Sequence, residues 1–391
     1  AATSASTSHG PCRRMDSILY SSTSLSLTSI EKGSLSTRLR LRESSYGENE
    51  EKRDRMRGKR EKGRCAEILQ GSLMDEPCLE NALHNCSLCI HLAAYGMAGA
   101  SALNSDMTYR VNFFGTLKVL EICSRMHCRN VVFASSVAVC FTDKPLQMAT
   151  EDAPRPDFHY SAYADSKADA EAVVCKANSS ELRTVALRFR GIFGPGEPRT
   201  TEKAAMAIAR GFYFVRFEKS SPAMTQFSGV DNSAMAVLLA SRALKEKPEL
   251  VGGRVYTIVD GGPPVGSWDF WNPLIDALGR RRPFFSVPYS LVINSIAILE
   301  FIYTAFKIVA PPMNQLEVNL VAVTNTFSIE RARKDLGYEP TNNHDLSQVC
   351  EYYKEKFTRE RQPFYDFPHY FKVAASLLAL LLSLLLFYVF Y

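Results

Sequence analysis

Several signatures are missing from this chain of 391 residues, and each absence removes a class of chemistry. There is no His-Glu-x-x-His pair, no Gly-x-Ser-x-Gly elbow and no Gly-x-x-x-x-Gly-Lys loop, so zinc-protease, α/β-hydrolase and P-loop chemistries lack their parts. The ten cysteines form no paired framework. Cys86 and Cys89 make a lone Cys-x-x-Cys without a second ligand pair, so they read as reduced thiols of a cytosol-facing domain rather than as a zinc site. Nor is there a charge excess suited to nucleic acid. Residues 1–64 carry 14 Lys/Arg against 8 Asp/Glu, so the chain's net +5 belongs to that tail and the rest is close to neutral. The first thirty residues contain no continuous apolar run, which excludes a secretory signal; their Ser/Thr-rich, acid-poor composition would suit a transit peptide. With the solvated charge block Glu48–Arg64 added, residues 1–64 are expected to be a disordered or non-homologous basic tail.

From Cys65 the texture changes. The segment around Leu69 suggests a short strand and turn, Glu76–His84 a helix, and Ser87–Ala94 a buried strand ending in small residues. A helix follows over Tyr109–His127, with Val111, Phe114, Leu117 and Leu120 on one face. Then come a strand over Asn130–Ser135, a helix over Ser161–Ala177 and a strand over Arg183–Phe189. Strands alternating with helices at this spacing predict parallel pairing through right-handed crossovers, that is, an α/β doubly wound sheet. In such sheets functional groups gather beyond the carboxyl ends of the strands, here after Leu92, Phe133 and Leu187.

Two apolar stretches concern the membrane. Val373–Tyr391 holds 19 residues without a charge, and as a helix spans about 28 Å, close to a bilayer's hydrocarbon thickness. Residues 371–391 therefore read as a C-terminal transmembrane helix. Tyr289–Ala310 is long enough to cross but contains Glu300 and Lys307, each unfavourable by roughly 2.5–3.5 kcal/mol at a span's centre. Membrane contact is expected there, lying on the bilayer or crossing it.

The sharpest chemical signal is Tyr163-Ala-Asp-Ser-Lys167, opening a helix. A four-residue spacing puts phenol and ammonium on one face, where the cation would lower the phenol's pKa towards the working pH and make it a proton donor or acceptor. By itself the motif is weak, because chance supplies it on many exposed helices. Ser135 and Ser136 end the preceding strand and would bring a hydroxyl to the same edge of the sheet. Tyr160 is a rival phenol, but its i+4 residue is Ala164, so it lacks the cation. His91, ending a strand, reads as a satisfied core histidine.

Seven ordered segments then resemble one family: His91–Gly99, Tyr109–Cys123, Val131–Val139, Tyr160–Glu171, Leu187–Glu197, Gly229–Ala240 and Phe327–Pro340. Together they are similar to the extended short-chain dehydrogenases/reductases, in particular the 3β-hydroxysteroid dehydrogenase group and its membrane-associated 42E branch. The resemblance implies a Rossmann-type dinucleotide-binding domain over 65–187 and a smaller substrate-binding subdomain over 188–368 that includes 289–310. It implies hydride transfer between a secondary alcohol or ketone of a steroid or sterol-like lipid and NAD, or NADP, on an endoplasmic-reticulum membrane with the catalytic domain in the cytosol. A homodimer is compatible with it. Tyr163 would be the acid/base, Lys167 would hold the ribose hydroxyls, and Ser136 would orient the substrate oxygen. Asn112 would support the site, and Ala93 and Ala94 would approach the cofactor by backbone. The chain departs from the family in lacking the opening strand and Gly-rich turn that grip the pyrophosphate, in carrying Ser72 where an adenine-site Asp is usual, and in having Arg188-Phe189-Arg190 for Arg-Pro-x. The sheet is accordingly expected to be N-terminally incomplete, with a central strand missing and backbone ladder groups left unpaired. Two other readings share these residues: a noncatalytic membrane-bound scaffold that has lost cofactor binding, and a nucleotide-sugar epimerase or dehydratase.

Overall fold

The computed structural model describes residues 14–21, 24–31, 68–308, 310–341 and 343–360. Its main sheet has seven strands: β1 (Arg14–Ser21), β2 (Ser24–Glu31), β3 (Ile68–Gly71), β4 (Cys89–His91), β5 (Asn130–Ser136), β6 (Arg183–Phe189) and β7 (Val255–Ile258), in the order β7-β6-β5-β4-β1-β2-β3. From β7 to β1 every pairing is parallel. The alternation read from the sequence thus folds as expected, and the observed β6 has the predicted bounds. Strand β5 shows why these segments are apolar throughout. Val131 and Phe133 face one buried layer, Val132 the other, as required of parallel strands covered by helices on both sides.

Helices α1 (Glu76–Leu83), α2 (Ser105–Tyr109), α3 (Gly115–Arg125) and α4 (Ala162–Lys176) follow in chain order; Leu79, Val119, Ile122 and Val174 from three of them pack with Val131 and Phe133. On the opposite face α5 (Val230–Glu246) sets Ala236, Ala240 and Leu244 against Val132, Val185 and Leu187. Between α2 and α3 the helix makes one π turn, Arg110–Phe114, so the predicted single helix is continuous but locally unwound.

The N-terminal edge departs from expectation in two ways. The sheet is not missing its central strand, because β1 pairs with β4 through Asp16↔Cys89, Ser17↔Ile90 and Ile18↔His91. Residues 14–21 and 24–31 are therefore strands rather than an unstructured part of the tail; Leu25 and Leu27 alternating with Ser24, Ser26 and Thr28 make a short period-two pattern that the bulk Ser/Thr composition hides. The sheet is also not wholly parallel. β1 and β2 are antiparallel, because two intervening residues can join only antiparallel neighbours whereas a parallel crossover needs a dozen or more, and β2 and β3 are antiparallel as well.

The second lobe carries a small sheet ordered Val265–Gly266, Met224–Thr225, Asn325–Phe327 and Leu146–Ala149. An aromatic core stabilises it, with the Phe227 and Phe270 rings stacked at 3.8 Å and Phe193 and Trp271 set edge-on to Phe270. Helix α6 (Tyr289–Phe306) lies on its surface and is long and apolar enough to cross a membrane. Of its side chains only Ile296 is buried, against Phe217, Trp268, Val318 and Ala322; Leu291, Ile298, Phe301 and Phe306 face outward. Glu300 is turned to protein, its two carboxylate oxygens accepting from the Gln315 amide at 2.8 Å and side chain at 2.7 Å. Lys307, left-handed at φ 57°, ends the helix. The expected helix at 371–391 lies outside the described residues.

Candidate active site

The carboxyl ends of β4, β5 and β6 converge with the first turn of α4, as the doubly wound fold requires. Ser161 caps α4 by accepting from the Ala164 amide at 3.2 Å, which fixes where the helix starts and aims Tyr163 and Lys167 along one face. Tyr163 is buried beside Ala94, Ala138, Phe141 and Leu316, with the Ser136 side chain close enough to favour its phenolate. Ser136 also caps the turn after β5, accepting from the Ala138 amide at 3.2 Å. Tyrosine and serine expected to meet do meet.

Lys167 points under the site. Its Nζ donates to the Ala134 carbonyl at 2.6 Å and lies 4.4 Å from the centre of the Phe133 ring. Burial pushes this ammonium down to about 7, with repulsion from Arg199 acting the same way and Glu171 opposing. The phenol behaves contrary to the sequence expectation. Its pKa is raised, not lowered, because burial disfavours the phenolate more than its neighbours favour it, and the cation that opposes this is Arg199 rather than Lys167. One helical turn of spacing predicted the shared face, but not that the ammonium would be drawn down to a strand carbonyl.

Asn112 sits in the π turn, a place where helices often carry function. Its Oδ1 accepts from the Tyr95 amide at 2.8 Å, and its Nδ2 donates to the Tyr95 carbonyl at 3.0 Å and to Ser166 Oγ at 2.9 Å. Ser166 in turn donates to the Tyr163 carbonyl at 3.0 Å. Asn112 therefore ties the loop after β4 to the helix bearing the phenol. That loop needs Gly96 at φ 78°, where a Cβ would come within 2.3 Å of Thr108 Oγ1. Ala93 and Ala94 are buried in the same loop, and the Ala94 carbonyl accepts from Arg199 at 3.3 Å.

Beneath these groups lies a buried polar layer. Arg188 Nη2 and Nε donate to the two Glu171 oxygens at 2.7 and 2.9 Å, and Ser135 donates to Glu171 at 2.6 Å. Arg188, which the sequence marked only as a departure in its motif, is an anchor of α4 to β6. Arg199, Glu171, Tyr95 and Ser166 were not singled out from sequence. The i+4 relation of Lys167 to Glu171 was a usable signal, whereas Arg199 had none.

The competing residues separate cleanly. Burial raises the Tyr160 pKa, with the nearby Asp143 carboxylate acting in the same direction. His91 Nε2 is 2.9 Å from Thr116 Oγ1, but its buried Nδ1 lacks a partner, so the satisfied core histidine is only half realised. Burial, followed by repulsion from Lys167, pushes it down to about 3 and keeps it neutral. Cys86 and Cys89 are free and buried, and no group of metal-binding side chains occurs among the described residues.

The geometry fits a dinucleotide unevenly. Phenol, serine and ammonium lie at the strand ends where a nicotinamide ribose would rest. The pyrophosphate end does not fit: β1 is separated by only two residues from antiparallel β2, with Ser21 opposite Ser24, so no turn and helix follow β1 to aim amides at a phosphate.

The model of the 3-beta hydroxysteroid dehydrogenase/isomerase family matches residues 47–288. The chain belongs to this family. Within it the chain is similar to 3beta-hydroxysteroid dehydrogenase/Delta(5)-Delta(4) isomerase 1 of Caenorhabditis elegans, 36% identical over 287 residues that cover 73% of this chain and 61% of that protein. Short-chain dehydrogenase/reductase family 42E member 1 of Homo sapiens is 32% identical over 303 residues, covering 73% of this chain and 76% of that one. The family assignment is thus to the extended short-chain dehydrogenases/reductases, 42E branch. Among solved structures, UDP-glucose 4-epimerase of Thermotoga maritima superposes with a TM-score of 0.54 at 19% identity over 73% of this chain and 84% of that one. The dTDP-glucose 4,6-dehydratase DesIV of Streptomyces venezuelae, with NAD bound, gives 0.55 at 17% identity over 74% and 79%. At such identity these two support the fold alone.

Proposed function

We propose that the protein is a membrane-associated NAD(P)-dependent oxidoreductase that interconverts a secondary alcohol and a ketone on a steroid or sterol-like lipid. The observation that carries this reading is the meeting of the buried Tyr163 phenol with Ser136 at the carboxyl edge of the sheet, over Lys167. A bound nicotinamide would supply the hydride acceptor or donor. Tyr163 would take the proton from the alcohol, or return it to the ketone oxygen. Ser136 would orient that oxygen, and Lys167 would hold the ribose hydroxyls. Asn112 would keep the loop after β4 in register with α4.

The apolar substrate class is supported by α6, whose exposed Leu291, Ile298, Phe301 and Phe306 suit a bilayer surface. A cavity of ≈ 620 Å³ lies between the end of this helix and the loop after β4, lined among others by Tyr95, Asn104, Asp106, Tyr303 and Lys307. A lipid partitioned into the membrane could reach the groove from there. Tyr163→Phe is expected to abolish hydride transfer while leaving the circular dichroism spectrum and melting transition unchanged; retained turnover would remove this mechanism.

One observation favours a second reading, a noncatalytic membrane-bound scaffold: the antiparallel β1–β2 connection where a phosphate-binding turn would be needed. Dinucleotide titration of the purified protein separates the two.

A further inference from the structure

The loop after β4 and the end of α6 enclose the cavity of ≈ 620 Å³, a size within the roughly 300–1,000 Å³ of small-ligand sites. Both walls are held by one element, the helix Gln315–Ala322. Its capping pair, Asn314 and Glu317, also grips the loop: Asn314 Nδ2 donates to the Met97 carbonyl at 3.4 Å, and Glu317 accepts from the Gly99 amide at 3.3 Å. Its first residue, Gln315, holds α6 through Glu300. The loop then turns into α2 where Asn104 Oδ1 accepts from the Met107 amide at 3.0 Å. The cavity is therefore shaped before anything enters it, which lowers the ordering cost of binding.

The two walls carry opposite charge. Asp106 lines the loop side and Lys307 the α6 side, and neither has an oppositely charged partner among the described residues. Lys307 Nζ instead rests 5.1 Å from the centre of the Tyr303 ring. Tyr95, Tyr303 and Ser105 bring hydroxyls to the same space. The end of α6 leaves Phe301, Phe306 and Ile308 exposed at 70%, 65% and 72%. A ligand that satisfies all of these carries an anion and a cation a few bonds apart and an apolar tail directed along α6. A phosphate suits the point charge of Lys307. An unpaired carboxylate among hydroxyls suits a primary ammonium, which donates hydrogen bonds; a quaternary ammonium donates none and needs aromatic faces, of which one at Tyr303 is already taken by Lys307.

We propose that this cavity seats the phosphoethanolamine headgroup of a bilayer phospholipid, the phosphate on Lys307 and the ammonium on Asp106, and so holds the mouth of the groove at headgroup depth. The seat rests on the membrane contact of α6 and not on the oxidoreductase reading.

The test uses the full chain in nanodiscs of phosphatidylethanolamine, phosphatidylcholine and phosphatidylglycerol in equal parts. Native mass spectrometry counts the phospholipids that stay bound after transfer to detergent. Phosphatidylethanolamine should be retained about fivefold over phosphatidylcholine, the worth of one partly exposed charge contact. Asp106→Ala should bring that ratio to near one. Lys307→Asn, a change that the left-handed backbone at φ 57° tolerates, should lower retention of both lipids while leaving their ratio unchanged. Equal retention in the wild type, a ratio unmoved by Asp106→Ala, retention unmoved by Lys307→Asn, or phosphatidylglycerol retained above phosphatidylethanolamine overturns the seat. Glycerophosphoethanolamine, which lacks acyl chains, should displace the lipid only at much higher concentration; displacement at equal concentration assigns the cavity to a soluble phosphoester and overturns the lipid claim. Hydrogen exchange separates the seat from the membrane contact beneath it. Nanodiscs of phosphatidylethanolamine should protect residues 100–107 more than those of phosphatidylcholine, with α6 protected in both. A protected α6 with equal exchange at 100–107 overturns the seat and keeps the membrane contact, whereas an unprotected α6 overturns both.

Discussion

Lys167 offers a prediction whose size follows from its surroundings. An ammonium ordinarily titrates at 10.5; here burial, helped by Arg199, brings the folded value to about 7. That gap corresponds to roughly 5 kcal/mol of preference for the neutral amine in the folded state, as an order of magnitude. The sign follows from proton counting. Between pH 7 and 10.5 the unfolded chain holds a proton at this residue that the folded protein has released, so folding stability rises with pH across the window. Below pH 7 both states are protonated and the full penalty is present. The slope from this group approaches about 1.4 kcal/mol per pH unit. Other groups titrate in the same range, so the informative quantity is the difference between wild type and Lys167→Met. Urea unfolding at a series of pH values in mild detergent should show the variant gaining on the wild type at pH 7 and losing that gain steadily towards pH 10. A difference that is flat with pH would mean that Lys167 remains charged and hydrated, and would refute the burial argument.

The buried Glu171–Arg188 pair should respond asymmetrically. Glu171→Gln alone, leaving the guanidinium uncompensated, is expected to destabilise by about 3–5 kcal/mol, whereas the double change Glu171→Leu with Arg188→Met should be nearly neutral, as read from chemical denaturation midpoints. On α6, Phe301→Lys with Ile298→Lys should release the described domain from liposomes without altering its melting transition when residues 371–391 are also removed; undiminished flotation with vesicles would show that α6 does not contact lipid.

Much of the architecture was legible because strands β4 to β6 are apolar runs buried on both faces, and α4 announces itself by Ser161, its cap, followed by helical spacing. The N-terminal edge was not. A period-two pattern inside Ser24–Glu31 lies in a Ser-rich context that resembles disorder, and strand pairing across more than fifty residues, such as that of β1 with β4, leaves no local trace. At the site, helical spacing put Tyr163 and Lys167 on one face and the end of β5 brought Ser136 to the same edge of the sheet, whereas Asn112 came only from the family resemblance. Electrostatics escaped the same treatment, because the field at the phenol comes from Arg199, which is distant in sequence and reaches the groove only through a loop shaped by Glu197. Spacing gives neighbours on one helix; burial and long-range approach decide what those neighbours do to a proton.

The most direct measurement is equilibrium titration of the purified full-length protein with NADH and NADPH, followed by nicotinamide fluorescence, with a hydroxysteroid added to the oxidised forms to detect reduction. Saturable binding, with hydride transfer that disappears in Tyr163→Phe while binding persists, is the expected result. No saturation at millimolar dinucleotide would contradict the oxidoreductase reading and leave the membrane-bound scaffold.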